Sequence, residues 1–122
     1  MKAQVAVQMY TIRDFTKTAD DLATSLKKVS DMGYTAVQMS AVGCMGGDDA
    51  EVDAARARTM LADHGLRCIA THRSWADLMD HTDREIAFHQ TLGCDFAAIG
   101  GIPGDYGSTL AGYRRFLDDA RP

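Results

Sequence analysis

The chain has 122 residues, 46% of them apolar and 25% charged, with a formal net charge of -4. That length supports one domain burying roughly two-thirds of its unfolded surface, and the scattered Lys and Arg exclude the concentrated cationic face that nucleic acid requires. No stretch approaches the ~20 apolar residues of a membrane span, and the lead-in Met1-Lys2-Ala3-Gln4 lacks a secretory apolar core.

In chain order, the first apolar run is Val5–Met9, followed by the loop "YTIRDF". Thr18 is placed to cap a helix with Asp21 at its third position, and Leu22, Leu26, Val29 and Met32 supply the apolar stripe. A second run, Ala36–Met39, leads to a glycine-rich loop, "GCMGGDD", which lacks the lysine and spacing of a phosphate-binding P-loop. Asp48 or Asp49 can open a second helix carrying Val52, Ala55, Met60 and Leu61. A third run, Cys68–Thr71, ends at His72, and Thr82-Asp83-Arg84-Glu85 fits a capping box ahead of Ile86, His89 and Leu92. After the fourth run, Phe96–Ile99, comes the loop "IGGIPGDYG", and Ser108 can open a last helix with Leu110, Tyr113 and Leu117.

Gly33, Gly65 and Gly93 stand where the first three helices end, and their spacings of 32 and 28 residues suit a βα unit. The near-continuous apolarity of the runs suits parallel strands covered on both faces. The expected class is therefore α/β, four parallel βα units within a single domain over residues 1–122, with right-handed crossovers. The pattern breaks off at Asp118-Asp119-Ala120-Arg121-Pro122, and four βα units are half of an eightfold barrel.

Aligned on those glycines, Tyr10, Ser40, His72 and Gly100 fall in one row. Gln8, Gln38, Ala70 and Ala98 form the row before it, and Ala6, Ala36, Cys68 and Phe96 the row before that. Side chains alternate along a strand, so these rows share one face, small and turning polar toward the strands' C-terminal ends. The opposite face, with Val7, Met9, Val37, Met39, Ile69, Thr71, Ala97 and Ile99, is suited to packing under helices.

His72 leaves the sheet at the edge from which α/β proteins present their sites, where an imidazole can hydrogen-bond a substrate oxygen or shuttle a proton. Tyr10 could bond a sugar hydroxyl and Arg13 could fork onto a phosphate or carboxylate. Trp75 could lie against the apolar face of a sugar or simply cover the core. His64, His81 and His89 have no partner at metal-ligand spacing and read as structural. Cys44, Cys68 and Cys94, odd in number and without C-x-x-C spacing, read as free thiols of a reducing cytoplasm.

The ordered stretches "VQMYTIRDF", "MGYTAVQMS", "LADHGLRCIATHRSW" and "HQTLGCDFAAIGGIP" resemble the N-terminal half of the sugar phosphate isomerase/epimerase superfamily, the xylose isomerase-like TIM barrels. The resemblance runs from Val5 to Pro103. It implies a small sugar or sugar phosphate as substrate and metal-assisted proton transfer beside its carbonyl, with Mn, Mg, Co or Zn as the divalent metal. It also implies substrate contacts at Tyr10, Arg13, Gln38 and His72, although many relatives carry Glu where Gln38 stands. The metal ligands and acid/base carboxylates of such enzymes come from later strands, so no metal ligand is assigned in these 122 residues and the chain alone is expected to be inactive.

Two other readings stand beside this one. The chain could be a non-catalytic half-barrel module, completed by a homodimer partner or by a C-terminal half, since a bare interior face and two open sheet edges favour pairing. It could also be a small doubly wound binding domain, which would call for a fifth strand and either an acidic cluster or a phosphate loop after the first.

Overall fold

The four apolar runs form one sheet in the order β1-β2-β3-β4, every pair parallel. In the computed structural model, which describes residues 4–121, the strands are β1 (Val7–Gln8), β2 (Ala36–Met39), β3 (Arg67–His72) and β4 (Ala97–Ala98). The helices are α1 (Ala19–Asp31), α2 (Ala54–Asp63), α3 (Trp75–Asp80), α4 (Thr82–Leu92) and α5 (Leu110–Asp119). The start of the lead-in at residues 1–3 and the final residue 122 lie outside the described residues.

Chain neighbours are sheet neighbours, the arrangement that successive βα units produce. The outer strands are shorter than the apolar runs suggest. Met9, fully buried, leaves β1 and begins a 3-10 helix at Met9–Phe15. Phe96 and Ile99 flank β4 without belonging to it.

Helix ends follow local chemistry, with three corrections. Thr18 caps α1 as expected, its Oγ1 accepting from Asp21 N at 3.1 Å. α2 opens at neither Asp48 nor Asp49; Asp53 caps it by accepting from Arg56 N at 2.8 Å, so Val52 precedes the helix and is buried beneath it. The capping box at Thr82 does not form, because the Thr82 hydroxyl donates back to Leu78 O at 2.6 Å and Glu85 is engaged elsewhere. Thr109, not Ser108, caps α5. α3, capped by Ser74, is an additional helix that the sequence pattern did not single out. Gly93 ends α4 at φ 76°, a left-handed conformation that costs a glycine little.

The core lies between the sheet and α1, α2 and α4: Leu22, Leu26 and Val29 pack with Leu61, Leu92, Val37 and Met39. Strand register corrects the expected rows. Gln8, Gln38 and Ala70 do form one row, but an irregular step between Val37 and Gln38 sets Val37 beside Cys68. One extra residue in β3 turns Cys68 under the helices, where it joins the core, and takes Ile69 out of it. Ala98 pairs with His72 rather than Ala70, a two-residue stagger that keeps the same face up while tilting the strands as a barrel wall requires.

The apolar residues of α5 stand largely outside the core, Leu110 and Leu117 being 66% and 58% exposed. α5 packs chiefly on the 3-10 turn at Gly104–Tyr106.

Candidate functional site

The C-terminal ends of β2 and β3 bring Ser40 and His72 to one level, one step beyond the pair Met39 and Thr71. After Ser40 the chain turns sharply: Ala41 has φ 51°, the one positive φ at a non-glycine among the described residues. A left-handed alanine sets its Cβ against the following carbonyl, so the turn is held by its surroundings rather than by preference.

The anchor is Gly43. Its N–H donates to Thr16 Oγ1 at 3.4 Å and the next N–H, of Cys44, to Thr16 O at 2.9 Å. A Cβ on Gly43 would stand 3.2 Å from Lys17 Cα, so glycine is what lets this loop lie against the one before it. Glu51 continues the contact by accepting from Ala19 N at 3.0 Å, a carboxylate at the positive end of α1.

Beneath residues 41–46 lies a cavity of about 170 Å³, lined by Ser40, His72, Arg73 and the apolar side chains of Met39, Met45 and Phe88, among others. The His72 ring makes no hydrogen bond among the described residues. Ser40 Oγ is fully buried and also has no partner among them.

The neighbouring polar groups are satisfied. Arg73 grips Glu85 with both fork nitrogens, at 2.5 and 2.6 Å, while its plane lies 4.4 Å from the Phe88 ring centre. The Arg73 bond holds the Glu85 carboxyl below its usual pKa despite burial. On the core side, His89 Nε2 meets Thr71 Oγ1 at 2.7 Å and its Nδ1 donates to Glu85 O at 2.7 Å, since a carbonyl oxygen only accepts. Arg73, Glu85 and the His89 contact were not legible beforehand, because no local pattern marks an ion pair twelve residues apart.

The other expected residues fall elsewhere. Tyr10 is exposed beyond β1, and Arg13 lies over its ring at 4.2 Å while donating to Tyr10 O at 2.9 Å. Neither lines the cavity, and Asp14 pairs with Lys17 rather than Arg13. Gln38 sits one row below His72, half-buried. Trp75 packs on Phe116 at 4.7 Å and edge-on to Tyr106 at 6.2 Å, so the structure uses it to hold α5 against the rest of the chain.

Among the described residues no three His, Cys, Asp or Glu side chains converge closely enough to hold a metal ion. The strand-end donors Tyr10, Gln38, Ser40 and His72 include one imidazole and no carboxylate, a set that does not fit a divalent cation.

In comparison with solved structures, the chain superimposes on a sugar phosphate isomerase/epimerase from Parabacteroides distasonis with a TM-score of 0.64 and 18% identity, over 82% of this chain and 39% of that one. A second sugar phosphate isomerase/epimerase from the same organism gives a TM-score of 0.59 and 22% identity, over 83% of this chain and 43% of that one. The chain thus spans about two-fifths of the length of the solved structures it matches. At such identities the likeness establishes the fold, four βα units of a TIM-barrel-like architecture. No protein-family model and no curated protein matches the chain.

Proposed function

We propose that this chain is the N-terminal half of a sugar or sugar phosphate isomerase/epimerase barrel and that it supplies substrate-contacting residues at the strand ends. The observation that carries the reading is the fold likeness, over more than four-fifths of the chain, to two sugar phosphate isomerase/epimerases. His72, with its ring unengaged beside a cavity at the end of β3, is placed to bond a substrate oxygen and to take or return a proton at its nitrogen. Gln38 lies beneath as an amide partner for a hydroxyl. Tyr10 and Arg13 stand at the β1 end, where the Arg13 fork, now spent on one backbone carbonyl and a ring face, is free to turn onto a phosphate.

A divalent metal belongs to the reading by resemblance, but the donors at these strand ends do not suit one, and none of this chain's residues is assigned to it. Trp75 is given a packing role rather than a sugar face. The reading places the small-molecule substrate in the cytoplasm; no helix among the described residues is long and apolar enough to cross a membrane.

A second reading, a half-barrel that functions by pairing, is favoured by Phe96 and Val5, 71% and 66% exposed at the two edge strands. The test is an NMR titration of the chain with ribulose 5-phosphate. The expected result is saturable movement of the Gln38 and His72 resonances; movement confined to other surfaces, or none, rejects the sugar reading.

A further inference from the structure

We infer that the cavity beneath residues 41–46 is a subsite for an uncharged, hydroxylated end of the substrate, with Ser40 and His72 as its polar partners. The inference rests on the sugar reading above and names which end of the molecule this half of a barrel would hold.

Three independent features meet here. Ser40 Oγ is the one buried side-chain nitrogen or oxygen among the described residues that lacks a hydrogen bond. Buried hydroxyls are nearly always bonded, because an unmade bond forfeits the group's hydration with no return. The very next residue, Ala41, holds the unfavourable φ of 51°. An orphan hydroxyl and a strained turn in succession, in a loop otherwise well anchored through Gly43 and Cys44, mark a place where something other than folding stability is served. The third feature is His72, whose ring has no partner among the described residues and which lines the same space.

The chemistry of the walls selects the ligand. The cavity has about 170 Å³, room for roughly five waters at ~30 Å³ each, or for a three- to four-carbon polyol fragment. Met39, Val42, Met45 and Phe88 give it apolar sides suited to C–H faces. Its one cation, Arg73, has its fork closed by Glu85 and its plane covered by Phe88. The Arg73 charge is thus already paired and not offered to a phosphate or carboxylate, whereas a hydroxyl and an imidazole each match a sugar hydroxyl as donor or acceptor. The inference requires Ser40 to rotate about χ1 when ligand binds, from one staggered well to another, so that its sealed hydroxyl meets such a partner.

The test uses the 122-residue chain, xylitol as the neutral probe, inorganic phosphate as the anionic one, and the variant Ser40→Ala. The His72 ring resonances should move saturably with xylitol and stay in place with phosphate. Ser40→Ala should weaken xylitol about three- to tenfold, the value of one hydrogen bond, while raising Tm by a few degrees because the orphan hydroxyl is gone. Unchanged xylitol affinity in Ser40→Ala means the cavity holds only water and overturns the inference, as does phosphate moving His72 and competing with xylitol. A ribulose 5-phosphate arm separates the two levels. If it moves Gln38 and His72 while Ser40→Ala is silent, the subsite alone is wrong; if neither sugar moves any strand-end resonance, the sugar reading has failed with it.

Discussion

Arg73 donates to both carboxylate oxygens of Glu85, at 2.5 and 2.6 Å, and so ties the end of β3 to the first turn of α4 directly beside the cavity. Glu85 is 2% exposed, so the pair is shielded from screening on one side and its geometry is bidentate. Removing one partner strands the other charge in a half-buried place. Glu85→Gln is expected to lower unfolding free energy by about 3 kcal/mol, read from urea midpoints, since losing one member of a buried pair typically costs that much. A loss within the ~0.5 kcal/mol of a surface change would show that the pair is idle.

The same pair sets a pH dependence. The folded carboxyl of Glu85 titrates below its usual range because Arg73 bonds its charged form. The unfolded chain therefore binds the extra proton first as pH falls, and stability drops. The contribution is complete above roughly pH 5 and fades below the ordinary glutamate value of ~4.3. The stability of the wild type should therefore fall more steeply with acid than that of Glu85→Gln, which lacks the titrating carboxyl, so that the gap between their urea midpoints narrows below about pH 4; a constant gap would show that the linkage does not operate.

Burial pushes the Cys68 thiol up to about 12, with the neighbouring Cys94 adding to it. Iodoacetamide at pH 8 should leave Cys68 unmodified in the native chain and alkylate it in urea. Above the unfolded thiol value of ~8.5 the unfolded chain loses a proton the folded one keeps, so stability should fall as pH rises, less steeply in Cys68→Ala. Rapid native-state alkylation would contradict the placement of Cys68 under the helices.

The two histidines near β3 should separate cleanly. His89→Ala removes the Thr71 and Glu85 backbone bonds and leaves a buried hydroxyl unmatched, a loss of about 1–3 kcal/mol. His72→Ala should leave the urea midpoint nearly unchanged while abolishing the sugar response. A large stability loss from His72→Ala would move that residue to a packing role.

Gly112 lies at the start of α5 where a Cβ would come 1.8 Å from Tyr106 O. No side-chain adjustment relieves a clash with backbone, so Gly112→Ala must move α5 off the 104–106 turn. Trp75, which packs on Phe116 and Tyr106, should then shift its fluorescence to longer wavelength. An unchanged spectrum would mean α5 is held by other contacts.

Much of this was legible in the sequence for a plain reason: βα units write themselves locally. The strand at Ala36–Met39, the cap at Thr18 and the turn at Gly93 each depend on a few adjacent residues, and all three stand where expected. Ser40 and His72 could likewise be placed on one level by counting from the glycines. Tertiary structure decided what depends on distant atoms. One extra residue in β3 set Cys68 under the helices, and an ion pair took Glu85 away from its capping role. The same holds for the site. Residue type put His72 and Ser40 at the strand ends, but only the fold could leave one ring unengaged, one hydroxyl without a partner and one alanine strained around a shared cavity. Side-chain satisfaction is a property of three-dimensional neighbours, and a linear pattern carries no record of which bonds go unmade.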